Sequence, residues 1–180
     1  MIYEAYGCLL WYYVGMNKIS HDSETVAQGQ QVITACAFIY HQFDGVEKLF
    51  LAKRAATKRF LPGVYELPGG HIDFGEDPVD GLKREIGEEL GMHVEVGDPF
   101  YVFTYTESKT HTQTIEIVYF ATFSGGSTVV TLNPQDHSEY GWFALADIHD
   151  AYTSSKGADD PEFKAIRKGF AHLRGQSLVF

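Results

Sequence analysis

Residues 69–92 read GGHIDFGEDPVDGLKREIGEELGM, and most of the groups in this chain that are able to do chemistry stand in that run. Between Asp73 and Glu89 there are seven acids (Asp73, Glu76, Asp77, Asp80, Glu85, Glu88 and Glu89) against two bases, Lys83 and Arg84. Those five net negative charges are half of the −10 carried by the whole chain. Asp77 suits a helix cap, Pro78 the first helical position and Gly91 the exit, so a helix is predicted over 78–90. Val79, Leu82, Ile86 and Leu90 form its apolar stripe. Glu85, Glu88 and Glu89 share an arc of roughly 100°, centred roughly 110° around the helix from that stripe. The helix is thus expected to bury one side and carry three carboxylates along its flank.

Like charges at these spacings cost about 0.2–0.5 kcal/mol per pair even on an exposed helix. Gly81 and Gly87 each cost about 1 kcal/mol relative to alanine in a helix interior. Arg84 can neutralise one neighbour, Glu88 or Glu76, but not all three glutamates. A divalent cation can. Hard oxygen ligands suit Mg²⁺ or Mn²⁺, which keep several waters and complete their shell with substrate phosphates. Taken alone, the three glutamates also read as a solvated acidic face. The rest of the segment favours chemistry: Gly69-Gly70 and Gly75 place flexible backbone beside the acids, as in a loop whose amides and carbonyls approach a ligand.

The chain that positions this segment has 180 residues, enough for one domain with a sizeable core and no need of a structural metal. Its 44% hydrophobic and 21% charged content excludes disordered and fibrous classes. An acidic chain is a poor generic binder of nucleic-acid polymers or anionic membranes. Cys8 and Cys36 do not make a disulfide framework, and Cys36, inside an apolar pattern, reads as a buried thiol. The apolar run at 7–15 is too short to span a bilayer and lacks a basic flank, so a reducing cytoplasm is the expected compartment.

Strands are predicted at 32–40, 49–53 and 64–67, with a turn at Asp44-Gly45, and after the helix at 101–106, 114–123 and 128–132. A short strand ends at Trp142-Phe143. A last helix begins at Asp160-Pro161, with Phe163, Ile166, Phe170 and Leu173 turned inward. Residues 1–30 read as an extension, within which Met16 is an alternative start.

The spacing Gly70, five residues, Glu76, seven residues, Arg84-Glu85-Ile86, one residue, Glu88-Glu89, one residue, Gly91-Met92 resembles the signature box of the Nudix hydrolase family. The flanking strands and terminal helix extend the resemblance over about 30–175. It implies an α/β fold, an α/β/α sandwich on a mixed β-sheet in a single domain at 31–175, with a tail at 176–180. It also implies cleavage of a pyrophosphate linkage in a nucleoside diphosphate derivative, by water and a divalent metal. Carried over by position, Glu85, Glu88, Glu89 and the Gly70 carbonyl become metal ligands (Mg²⁺ or Mn²⁺). Arg84 orients a carboxylate, Glu76 holds Arg84 or its loop, and Glu85 is the favoured general base, with Glu88 beside it. Asp136 and Glu139 resemble a downstream acidic loop supplying a further ligand or base, with a surface turn as the other reading. Two positions depart from the usual pattern: Tyr65 where tryptophan is common, and Gly81 where alanine is frequent.

Bound Mg²⁺ would reverse the local field for an acidic substrate. Lys53, Arg54, Lys58 and Arg59 could steer phosphates or form a solvated loop, with Arg54 the foremost of them. Arg54, Gly69, Gly70 and Tyr65 are the residues expected against substrate. Phe60, Tyr65, Tyr105 and Trp142 could stack on a base, although each also reads as core. The expected substrate is a small-molecule nucleotide, a (d)NTP or oxidised (d)NTP giving NMP and pyrophosphate. ADP-ribose or a dinucleotide is the alternative within the enzyme class. A nucleotide-sensing Nudix module without catalysis is the alternative from another class. A homodimer is left open.

Overall fold

β-Branched and aromatic residues dominate the segments that become strands, as a pleated, half-buried surface requires. A computed structural model describes residues 31–107, 112–152, 157 and 159–177. The expected extension at 1–30, with Cys8 and Met16, lies outside the described residues, as does 178–180 of the expected tail. The strands are β1 (Gln31–Phe43), β2 (Val46–Arg54), β3 (Tyr65–Glu66), β4 (Gly69–His71), β5 (Val94–Glu107), β6 (Thr112–Phe123) and β7 (His137–Phe143). The helices are α1 (Pro78–Leu90), α2 (Leu145–Tyr152) and α3 (Pro161–Leu173).

Asp44 (φ 49°) and Gly45 (φ 83°) close a two-residue hairpin between β1 and β2, the left-handed pair that matches the twist of the strands. Beyond that hairpin β1 and β2 diverge. β2 pairs with β7 on its outer edge, while β3 runs along its inner edge at Ala52 and Lys53. β4 runs along the matching edge of β1, from Thr34 to Cys36, and the opposite edge of β1 pairs with β6. β3 and β4 therefore occupy a fork between β1 and β2. The β1–β6 pairing is parallel and the others are antiparallel, so the seven-stranded sheet is mixed.

Successive residues of β1 serve opposite faces. Ala35, Ala37 and Ile39 pack with Phe50 against Leu82, Ile86 and Leu90 of α1. Cys36 and Phe38 pack with Leu49 and Leu51 against Ile148 of α2 and Phe163, Ile166 and Phe170 of α3. The α/β/α sandwich follows, with Cys36 a buried free thiol.

Three expectations need correction. Residues 128–132 form no strand: the β-branched composition is present, but the segment pairs with no strand and instead crosses the end of α1, where the Asn133 amide donates to the Glu89 carbonyl at 2.7 Å. Gly69-Gly70 is not a flexible loop but strand β4, paired with Cys36 and Ala35. β5 begins at Val94 rather than 101, because Gly97-Asp98-Pro99 is absorbed as register shifts within one long strand. Helix α2 had no predicted counterpart.

Candidate active site

Asp77 caps α1 by accepting from the Val79 amide at 2.9 Å, and Gly91 (φ 61°) ends the helix in the left-handed conformation. With Leu82, Ile86 and Leu90 locked in the core, the turn of the helix fixes where the acids go. They are not equivalent. Glu88 is largely exposed, its side chain at 61%. Glu85 is buried at 7%. Glu89 is half-buried as a residue, but its carboxylate turns in toward β4 and accepts from the Gly69 amide at 3.2 Å.

Arg84 does more than neutralise one neighbour. Its Nε and Nη2 donate to the two carboxylate oxygens of Glu76 at 3.0 and 2.9 Å, and Nη2 also donates to the His71 carbonyl at 2.9 Å. Nη1 donates to Glu85 Oε1 at 2.8 Å and lies 3.5 Å from Glu88 Oε2, a weak contact. Glu76 holds the arginine, which in turn orients Glu85, and Glu89 has no share in it. These hydrogen bonds, Glu76 foremost, keep the guanidinium charged even more firmly than usual.

Burial pushes the Glu85 carboxyl up, against the pull of Arg84, with the charges of Glu88 and Asp136 adding to the rise. Burial also lifts Glu89 well above the usual carboxylate range, and Glu66, Glu85 and Asp136 add to it. Glu66, on β3, is the acid that the sequence reading passed over. It stands in the fork beside Gly69 and Gly70, accepting from Arg54 Nη1 at 2.9 and 3.1 Å, with His137 Nε2 3.2 Å from its Oε1. His137 is 1% exposed, and its Nδ1 has no hydrogen-bond partner. The signal for Glu66 was its place one strand before the glycines of the box. For His137 it was adjacency to Asp136.

Asp136 is tied down by Lys58 (2.8 Å) and by the side chain of Asn133 (2.6 Å), within the electrostatic reach of Glu85 and Glu89. Glu139 is not brought to this cluster. It pairs with Lys53 at 2.8 Å and accepts from the Tyr65 hydroxyl at 2.6 Å; strand alternation puts these three on the opposite face from Glu66. Lys53 lowers the Glu139 carboxyl, while burial and Glu139 push the Tyr65 phenol up to about 12. Tyr65 packs on Phe143, away from the acids. Lys53, Arg54 and Lys58, expected to steer phosphate, thus face carboxylates. Trp142 belongs to the core around Phe50 and Phe123.

A cavity of about 340 Å³ opens beside the box, lined by Gly69, Gly70 and Glu66 at one end and by Arg54, Phe60 and Tyr105 farther in. Arg54 braces Glu66 and donates through Nε to the Phe60 carbonyl at 2.8 Å. β4 forms the partition between the box acids and this cavity, and it can be thin because it is glycine. A Cβ on Gly70 would stand 2.5 Å from the carboxyl carbon of Glu85. Gly69 has a φ of +143°, and a Cβ there would strike the backbone of Ala35 and Cys36.

The donor set is right for a hard divalent cation: desolvated carboxylate oxygens gathered against bare backbone, with one guanidinium among them. Among the described residues, no three His, Cys, Asp or Glu side chains converge on one point. Arg84 stands on Glu85 Oε1, and Glu88 faces solvent.

The family model for the NUDIX domain matches residues 32–165. This chain belongs to the Nudix hydrolase family. The MutT NUDIX hydrolase from Burkholderia pseudomallei is 30% identical, with a TM-score of 0.58 over 70% of this chain and 93% of that one. The MutT protein from Methanosarcina mazei Go1, at 24% identity and a TM-score of 0.63, shares the fold over 81% of this chain and 99% of that one. The m7GpppN-mRNA hydrolase NUDT17 of Danio rerio is 32% identical over 87 residues, which are 48% of this chain and 28% of that protein. The chain spans 28% of the length of that relative and 57% of the MutT-like protein of Streptomyces ambofaciens, to which it is 35% identical.

In this Nudix domain the departure at Gly81 has a local reason. A Cβ there would come within 2.6 Å of Ile72 Cδ1 and 2.8 Å of Glu76 Oε2, the oxygen that holds Arg84. The glycine makes room for the brace.

Proposed function

We propose that this protein hydrolyses a pyrophosphate linkage in a nucleoside diphosphate derivative, using Mg²⁺ or Mn²⁺, with (d)NTPs and oxidised (d)NTPs as the leading substrates and NMP and pyrophosphate as products. One observation carries the reading: the desolvated carboxylates of Glu85 and Glu89 meet the bare backbone of Gly69 and Gly70 at the mouth of a cavity of nucleotide dimensions.

Glu85, Glu88, Glu89 and the Gly70 carbonyl would hold the ion, with Asp136 as a further acid. When bound, the ion supplies charge neutralisation for the phosphates and a more acidic water. The remaining work belongs to the chain. Glu85 accepts the proton of the attacking water as its oxygen bonds to phosphorus and the bridging P–O bond breaks. Burial raises the Glu85 carboxyl, which brings a carboxylate base closer to neutral pH. Glu76 fixes Arg84, and Arg84 fixes the Glu85 oxygen it bonds. Gly69 aims Glu89 by donating to Oε2.

Dinucleotide cleavage is a second reading, supported by the 32% identical stretch shared with a protein named as an m7GpppN-mRNA hydrolase. The test is incubation with a panel of (d)NTPs, 8-oxo-dGTP, ADP-ribose and capped dinucleotides, with Mg²⁺ or EDTA, and resolution of the products. NMP plus pyrophosphate supports the leading reading. AMP plus ribose phosphate, or cap cleavage alone, moves the substrate class. Binding with no product identifies a sensor.

A further inference from the structure

Beyond the glycines of β4 the cavity runs to the face of the sheet that carries α3, and its far wall is unlike a phosphate site. The lining includes Glu66, which is paired with Arg54 beside the glycines, and three further carboxylates, Glu116, Asp160 and Glu162. Glu116 is in register with Thr34 and Phe103, which line the same cavity. Glu162 is 7% exposed, and its Oε1 accepts from the Leu67 amide at 2.6 Å, which fixes the carboxylate. Asp160 is engaged in capping α3 through the Glu162 and Phe163 amides. Ionised carboxylates accept hydrogen bonds and have none to donate to a phosphate. The side is aromatic: Phe60 and Tyr105 lie 10° from parallel with centroids 6.2 Å apart, and Phe103 adjoins Tyr105 at 6.3 Å. Burial raises the Tyr105 phenol above its usual range, and Glu116 and Glu162 add to the rise, so both acids act at this ring.

We propose that this cavity is a base pocket for guanine, which stacks on the Phe60–Tyr105 wall and donates its 2-amino group to Glu116 and its N1–H to Glu162. The inference rests on the nucleotide-hydrolase reading above and orients its substrate, sending the phosphates toward Gly69, Gly70 and the box acids. The chemistry selects among bases. An ionised carboxylate only accepts hydrogen bonds, and it offers about four acceptor sites, so Glu162 can hold both the Leu67 amide and a ligand. Guanine presents two adjacent donors. Adenine and cytosine each set one amino donor beside a ring-nitrogen lone pair, and uracil sets a single N–H between two carbonyls. Against a carboxylate these bases leave lone pairs facing negative charge, which costs affinity. Every base has a π face, so the aromatic wall gives binding without choice, and the acids supply the choice.

The experiment is calorimetric binding of GMP, IMP and AMP to the full chain, mononucleotides that require no turnover, alongside hydrolysis of GTP, ITP and ATP with Mg²⁺. IMP lacks only the 2-amino group. GMP is expected to bind about 10-fold more tightly than IMP and about 100-fold more tightly than AMP, the range that one and two charge-assisted hydrogen bonds support. Glu116→Gln should bring the GMP/IMP ratio near one, with Glu116→Asp retaining part of the preference. Phe60→Leu should weaken all three mononucleotides alike. Equal affinity of the wild-type protein for the three overturns the pocket. So does a GMP/IMP ratio unmoved by Glu116→Gln and Glu162→Gln in folded variants. Guanine-selective binding without hydrolysis of any triphosphate keeps the pocket and removes the enzyme; hydrolysis without base preference does the reverse.

Discussion

Replacing Gly70 by alanine adds one methyl group where the site has no room. The new Cβ would stand 2.5 Å from both Cδ and Oε2 of Glu85 and 3.0 Å from its Oε1. Ordinary carbon contacts need about 3.5 Å, so the carboxyl group must retreat by about 1 Å. It cannot do so freely, because Glu85 is buried and its Oε1 is held by Arg84 at 2.8 Å. A displacement of about 1 Å in a positioned group costs about 100-fold in rate, or about 2.7 kcal/mol of transition-state stabilisation. The backbone of Gly70 lies outside the left-handed region, so alanine is accepted conformationally. Overpacking then costs about 1–3 kcal/mol of stability, a Tm loss of about 2–12 °C in a chain of this size. Gly69→Ala is the matched control. There the same methyl meets backbone that cannot move, at a φ of +143° that L residues rarely adopt, and a Tm loss above about 10 °C is expected. The assay is Mg²⁺-dependent nucleotide hydrolysis at subsaturating substrate, with thermal melts of both variants. A Gly70→Ala enzyme with wild-type kcat/KM, or one whose loss is fully explained by unfolding, would refute the reasoning.

The remaining expectations concern charge and helix stability. Glu85 and Glu89 are raised in the folded state, so it binds their protons more tightly than the unfolded chain does. Their contribution is complete below the ordinary carboxylate range and is lost as pH rises through the raised folded values. Metal-free protein should therefore melt at lower temperature from about pH 5 upward, with millimolar Mg²⁺ restoring the loss. Glu89→Gln should flatten that slope and reduce turnover by at least about 100-fold; melts from pH 5 to 8 in EDTA or Mg²⁺, with rates, check both. Asp136→Asn should lower kcat/KM by about 10-fold or more, because Asp136 shares the field of Glu85 and Glu89. Glu139→Gln, which breaks a half-exposed pair with Lys53, should leave rates within about 2-fold and stability within about 1 kcal/mol. Gly87→Ala should raise stability by about 0.5–1 kcal/mol with activity unchanged, since its Cβ meets nothing nearer than the Met92 carbonyl at 4.0 Å; a denaturant titration measures it.

Helix α1 was legible to the residue, from Pro78 to Leu90, because its cap, its period and its exit are local signals. The turn at Asp44-Gly45 and the cap of α3 at Asp160 were legible for the same reason. The β-branched residues at 128–132 suit a strand, but composition is local and pairing is not: the fold lays that segment across the end of α1 instead. The glycine pair misled in the opposite direction: flexibility in an isolated peptide says nothing of the β1 edge that fixes Gly69-Gly70 as a strand.

The same division runs through the site. Type and spacing along one helix were enough to determine that Glu85, Glu88 and Glu89 share one flank and that Arg84 lies within reach of Glu88, since residues three or four apart on a helix are neighbours whatever surrounds it. Tertiary structure decided which of the acids lose their water. It buried Glu85, turned the carboxylate of Glu89 inward, left Glu88 in solvent, brought in Glu66 and Asp136 from other strands and loops, and turned Glu139 and Tyr65 away. Desolvation and long-range fields depend on what the fold stacks around a group, and separation along the chain carries no record of that.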